Sequence, residues 1–245
     1  MTEPRAQVAA APALAVRSLA IRYGTVPAVA GVDLEIIHGS IVTIVGSNGA
    51  GKSSIMKAIA GLLKPASGSV RLFGEDVTGR APDQMVARGL ALVPEGRRLF
   101  STMTVRENLE IGAYRRRDAE LARDFERVLG LFPVLRERLG SPAASLSGGQ
   151  QQMLAVARAL MAGPRVLLLD EPTIGLSPAM VETIGELVRS IGRGGVDVLL
   201  VEQNAEMALE IADHAYILER GEIVLSGPAP ALLRSDEVRR AYLGI

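Results

Sequence analysis

The chain has 245 residues, with 27 basic and 27 acidic side chains, two histidines and no cysteine. That length allows a full hydrophobic core, as one large domain or as a core with a subdomain. Balanced charge gives no reason to expect a nucleic-acid binder held by phosphate neutralisation. The missing cysteines exclude disulfides and thiol chemistry, and no Cys/His cluster suggests a zinc site.

The opening MTEPRAQVAAAPALAV has a short Ala-rich stretch broken by Pro12 and an acidic Glu3. It reads as a flexible leader over residues 1–12 rather than a signal peptide. No apolar segment reaches the roughly 20 residues that span a bilayer. LAVRSLAIRYG and GVDLEIIHGSIVTIVG are rich in β-branched residues and broken by turn signals, so several strands are predicted before Gly46. From KSSIMKAIAGLL the period turns helical; GSVRLFGEDV reads as a hairpin-like pair and GLALVPE as a buried strand.

Between Arg97 and Ser145 the character changes. TVRENLEIGAY and ELARDFERVLGLF are amphipathic helices with no strand between them, which predicts a helical subdomain over about 97–160 inserted in an α/β core. Arg115, Arg116 and Arg117 read as a solvated loop. RVLLLDEP, a continuous apolar run ending in acids, fits a central parallel strand covered on both faces. A helix from Pro178, the strand VDVLLVE, a helix from Ala205 and the pair AYILERGEIVLSG complete the pattern. The expected class is therefore α/β, a P-loop NTPase core with a mainly parallel sheet, an antiparallel β part and a helical insert.

Three short motifs carry chemistry. GSNGAGKSS fits G-x-x-x-x-G-K-[ST] between a strand and a helix. Its backbone, Gly46, Ser47, Asn48, Gly49, Ala50 and Gly51, turns successive N–H groups inward around a β-phosphate. Lys52 reaches the β- and γ-phosphates, the Ser53 hydroxyl suits Mg²⁺, and Ser54 closes the motif. Asp170, at the end of VLLLD, is the second metal contact such a loop needs. Glu171 beside it is placed to orient or deprotonate an attacking water; the bland reading of both acids is a cap on the next turn. LSGGQQQMLAVARAL begins like a helix N-terminus built for an anion.

Together, GSNGAGKSS, LSGGQ and LLLDEP, in an order that puts a helical insert before the glycine pair, resemble the ATP-binding-cassette (ABC) ATPases over nearly the whole chain. The resemblance implies that Ser147, Gly149 and Gln150 cap the γ-phosphate held by a partner subunit's P-loop, with two ATPs sandwiched in a head-to-tail pair. It implies ATP and Mg²⁺ as ligands, and Tyr23 as the aromatic that stacks on adenine, with core packing as the plain alternative.

Three positions depart from the family pattern. Glu95 stands where glutamine is usual, and carries over as a metal or γ-phosphate sensor only through direct or water-mediated contact with Mg²⁺. Gln203 stands where a switch histidine is usual; it donates an N–H but carries no charge. Ser177 replaces an aspartate. His38 and His214 read as structural.

VPEGRRLF, EPTIGLSP and LLVEQNAE resemble the shorter ATPase of bacterial branched-chain amino-acid importers. This implies a peripheral subunit on the cytoplasmic face of the inner membrane. Its implied partners are a second ABC ATPase, either a different chain or a copy of this one, two membrane permeases and, indirectly, a periplasmic binding protein. GRRLFSTMTVRENL then lines the permease groove, although Leu99, Phe100 and Met103 read equally well as core. A soluble cassette acting in repair, chromosome organisation or translation is the alternative; neither a coiled coil nor a second cassette supports it.

Overall fold

The computed structural model describes residues 11–243, so the expected leader lies outside the described residues except for its last two positions. The chain starts with β1 (Leu14–Tyr23), β2 (Val26–Ile36) and β3 (Ile41–Val45), followed by α1 (Lys52–Ile59). Next come β4 (Ser67–Leu72), β5 (Glu75–Asp76), α2 (Pro82–Ala87) and β6 (Leu90–Val93). Four helices follow with no strand among them: α3 (Val105–Gly112), α4 (Leu121–Leu131), α5 (Pro133–Arg136) and α6 (Gly148–Leu160). Then β7 (Val166–Asp170), α7 (Pro178–Arg193), β8 (Asp197–Glu202) and α8 (Ala205–Ile211) alternate. β9 (His214–Glu219), β10 (Glu222–Pro228), α9 (Ala229–Arg234), α10 (Asp236–Val238) and a wide turn at Arg239–Leu243 close the chain.

β2, β1, β4 and β5 form an antiparallel sheet in that order, and β10, β9, β3, β8, β7 and β6 form a second one. In the second sheet β9 to β6 run parallel, and only β10 is antiparallel, added through a hairpin. Its tight turn is Arg220-Gly221, both at positive φ, the combination a two-residue hairpin needs to match strand twist.

The parallel strands are buried on both faces, and their side chains alternate between two cores. Ile41, Leu167, Leu169, Val198 and Leu200 face the core built with α3–α9. Val42, Ile44, Leu168, Leu199 and Val201 face the core shared with α1 and the antiparallel sheet. Because β3, β7 and β8 are parallel, their C-terminal ends lie along one edge of the sheet, where ligands gather in such folds.

Among the helices, Thr104 caps α3 with a reciprocal bond pair to Glu107. Gly112 lets α3 lie close to α6: a Cβ there would stand 2.1 Å from the Arg158 carbonyl oxygen. The arginine triplet is not uniformly solvated. Arg116 folds back, pairing with Asp118 and Asp124 at 2.7 Å each and donating to the Met161 carbonyl. It ties the end of α3 to α4 and to the residue after α6.

Candidate nucleotide site

The P-loop follows β3 directly, and its shape depends on missing side chains. A Cβ at Gly46 would stand 2.4 Å from the Leu218 carbonyl oxygen, and one at Gly51 2.7 Å from that of Ala28. Gly51, at φ +110, is also the residue before α1, so only glycine turns the chain into the helix there. Ser47, Asn48 and Gly49 are exposed, so the mouth of the loop faces outward.

Lys52 is buried, with its ammonium surrounded by oxygen. It donates to the carbonyls of Gly46 (2.7 Å) and Ser47 (3.1 Å), and pairs with Glu171 Oε1 at 3.0 Å. Three acceptors satisfy its three protons, which makes a charge buried this deeply tolerable. Glu171 sits in the left-handed region at φ +47, an uncommon conformation for such a residue. Its N–H donates to the Val201 carbonyl at 2.9 Å, so β8 fixes where that turn begins.

The Ser53 hydroxyl donates to Asp170 Oδ1 at 2.9 Å. Burial pushes the Asp170 carboxyl above the ordinary range; the Ser53 bond opposes this, and the charges of Glu171 and Glu95 add to it. Glu95 is therefore near enough to be felt, although its side chain is exposed. Among the described residues no group of three or more His, Cys, Asp or Glu forms a metal cage. One hydroxyl and one carboxylate are what Mg²⁺ takes from a protein when phosphate and water supply the rest, so the donor set fits that ion.

Tyr23 ends β1 exposed, its hydroxyl 3.2 Å from Ser54 Oγ, so the ring stands at the flank of α1 rather than in the core. Gln203, just past β8, is exposed as well.

The second cradle lies on α6. Ser147 is its N-cap and forms a reciprocal box with Gln150: Ser147 N donates to Gln150 Oε1 at 3.0 Å, and Gln150 N donates to Ser147 Oγ at 3.4 Å. The S-x-x-Q spacing is the signal for that box, missed when these residues are read only as an anion cradle. Gly149 packs under Met180, and the Arg97 guanidinium covers Gly148 while bonding Gln151 at 3.0 Å. Among the described residues no hydrogen bond or ion pair joins residues 146–150 to residues 46–54. α6 packs instead on α3, α4, α5 and β6.

Glu202 lies within LLVEQNAE but receives no role from the sequence; it is the buried acid that ends β8 as Asp170 ends β7. Its Oε1 accepts from Thr173 N (3.0 Å) and Thr173 Oγ1 (2.7 Å). Its Oε2 accepts from Gln203 N (3.2 Å) and Asn204 N (3.4 Å). An acid closing an apolar strand run was the signal available for it.

A P-loop at the C-terminal edge of a mainly parallel sheet, with a buried lysine and an acid pair at the end of β7, one strand removed from β3, defines a nucleoside-triphosphatase. The ABC transporter family matches residues 29–174. The chain is 46% identical over 222 residues to the high-affinity branched-chain amino acid transport ATP-binding protein BraG of Pseudomonas aeruginosa, covering 91% of this chain and 95% of that one. An ATP-binding cassette of an ABC transporter, MJ1267 in its ADP conformation, matches with TM-score 0.85 at 26% identity, over 96% of this chain and 100% of the other. A dimeric post-hydrolysis cassette, MJ0796 bound to ADP and Pi, matches with TM-score 0.77 at 26% identity, over 91% and 99%. The chain belongs to the ABC transporter family, as a nucleotide-binding subunit that hydrolyses ATP. Among the described residues no helix is long and apolar enough to cross a membrane.

Proposed function

We propose that this chain is the ATPase subunit of an importer for branched-chain or related amino acids. The 46% identity to BraG over nearly both full lengths carries the substrate class. It works at the cytoplasmic face of the inner membrane, paired with a second ABC ATPase, a different chain or a copy of itself, and with two permease subunits fed by a periplasmic binding protein. Residues 97–160 form its helical subdomain, and the segment from Gly96 to Leu109 faces the permeases; there Phe100 is half exposed, unlike a core side chain.

The P-loop N–H groups and Lys52 hold the phosphates of ATP, and Tyr23 carries the adenine. Ser53 and Asp170, with Glu95 directly or through water, would hold Mg²⁺. Bound there, Mg²⁺ supplies positive charge against the phosphate oxygens. Glu171 orients the attacking water and accepts its proton, and Gln203 donates an N–H to the γ-phosphate. Lys52 pairs with Glu171 at 3.0 Å, so a phosphate that draws Lys52 to itself would leave that carboxylate available as a base. Ser147, Gly149 and Gln150 close on the partner subunit's γ-phosphate, which makes ATP the adhesive of the pair and hydrolysis its release.

The test is affinity capture of tagged Glu171→Gln protein from native membranes in mild detergent with ATP. Two multi-spanning proteins and a second cassette ATPase are the expected companions. Recovery only from the soluble fraction, alone or with ribosomes or DNA, would replace the importer by a soluble cassette.

A further inference from the structure

Glu202 is an anion at the buried end of β8, 2% exposed, and among the described residues it has no salt-bridge partner. Burial pushes its carboxyl up, and the bonds from Thr173 and Asn204 pull against that shift. Such a charge is costly unless hydrogen bonds replace its hydration. Here four donors do so, divided evenly. Oε1 takes both bonds from Thr173, two residues after Glu171, and Oε2 takes the N–H groups of Gln203 and Asn204. One residue earlier the strands are already laced, by Glu171 N donating to Val201 O. Asn204 in turn caps α8 by accepting from Met207 N at 3.2 Å.

We propose that Glu202 is a positioning residue for hydrolysis, a clasp whose two oxygens each hold one loop, so that the segment carrying Glu171 and the segment carrying Gln203 move as a unit. The inference rests on the roles proposed above for those two side chains. Glutamate suits the clasp because the three backbone partners are obligatory donors and the Thr173 hydroxyl donates as well. Glutamine keeps the shape but has a single acceptor oxygen. With that oxygen on Thr173, its NH₂ faces two N–H donors, and the Gln203 loop is released.

The experiment compares Glu202→Gln, Gln203→Ala and the double variant in the full-length chain, purified from membranes with the subunits it carries. The readouts are kcat and affinity for trinitrophenyl-ATP. Loss of the buried bonds at one loop corresponds to about a tenfold fall in kcat. Nucleotide affinity stays within about twofold, because no P-loop group is touched. The double variant falls no further than Gln203→Ala alone, since both changes release the same group. Wild-type kcat in Glu202→Gln, multiplicative losses in the double variant, or collapse of nucleotide affinity would each overturn the clasp. If Glu202→Gln does not fold, Thr173→Val takes its place: it deletes one bond on the Glu171 side, kcat is expected to fall with nucleotide affinity within about twofold, and wild-type kcat or collapse of that affinity would overturn the clasp. Wild-type kcat in Gln203→Ala would instead remove the premise that Gln203 assists hydrolysis, overturning the clasp while leaving the ATPase assignment intact.

Discussion

Asp170 carries a cost that function explains. Its folded carboxyl titrates above the ordinary value of 3.8, so the fold holds that proton more tightly than the unfolded chain does. Ionisation therefore disfavours the fold at neutral pH, and this penalty fades as pH falls through the folded value toward the ordinary one. Asp170→Asn removes the charge while retaining an acceptor for Ser53. The nucleotide-free variant is expected to melt above wild type at pH 7, because it lacks the charge that burial disfavours. The gap should close on acidification, as differential scanning calorimetry across pH would show, and ATP hydrolysis should be lost. A variant that melts lower at pH 7 would contradict this account. The GSNGAGKSS loop and the acids Asp170 and Glu171 were visible in the sequence because each is a short contiguous run at the end of an apolar strand. Glu202 was not, because its partners are backbone groups and a threonine on another strand's loop, and a single sequence shows no such contact.

The helices show a second kind of constraint. α3 and α6 approach at Gly112, where a Cβ meets backbone rather than a movable side chain. Gly112→Ala is expected to force the pair apart and cost about 1–3 kcal/mol, an overpacking penalty only partly offset by the helix preference for alanine. Urea unfolding would measure it. At the start of α6, Ser147→Arg is expected to leave ATP affinity of the isolated chain nearly unchanged while preventing ATP-dependent pairing, read by light scattering. Collapse of monomer affinity would show that Ser147 serves this chain's own nucleotide. The same variant also loses a cap, worth about 1 kcal/mol. Long periodic segments such as α6 and α7 were readable from pattern, whereas α2 and α5, six and four residues long, were not. Elements that short owe their existence to tertiary contacts rather than to periodicity.

For the molecule as a whole, the strand order of the parallel sheet was not legible. β3 lies between β8 and β9, strands more than 150 positions later in the chain. Each strand is a short apolar run that fits several neighbours, so pairing is decided by the crossovers and helices that cover both faces. The neutral charge balance, and the lack of a spanning helix among the described residues, bear on attachment. The chain is expected to leave membranes under urea or alkaline carbonate, which break protein contacts, and to resist salt alone. Release needing detergent, judged by immunoblot of the washed pellet, would mean that lipid holds it directly.

The turn Arg220-Gly221 donates from Gly221 N to the Ala50 carbonyl at 2.9 Å and accepts from Ala30 N at 2.9 Å, while Leu218 backs Gly46. The P-loop, written in the first quarter of the chain, is thus braced by residues near its end. During synthesis a ribosome-bound chain holding the complete GSNGAGKSS motif still lacks the wall behind it. Chains cut short before Leu218 lack these braces and are expected to bind ATP more weakly than the full chain, as filter binding with the two purified lengths would show.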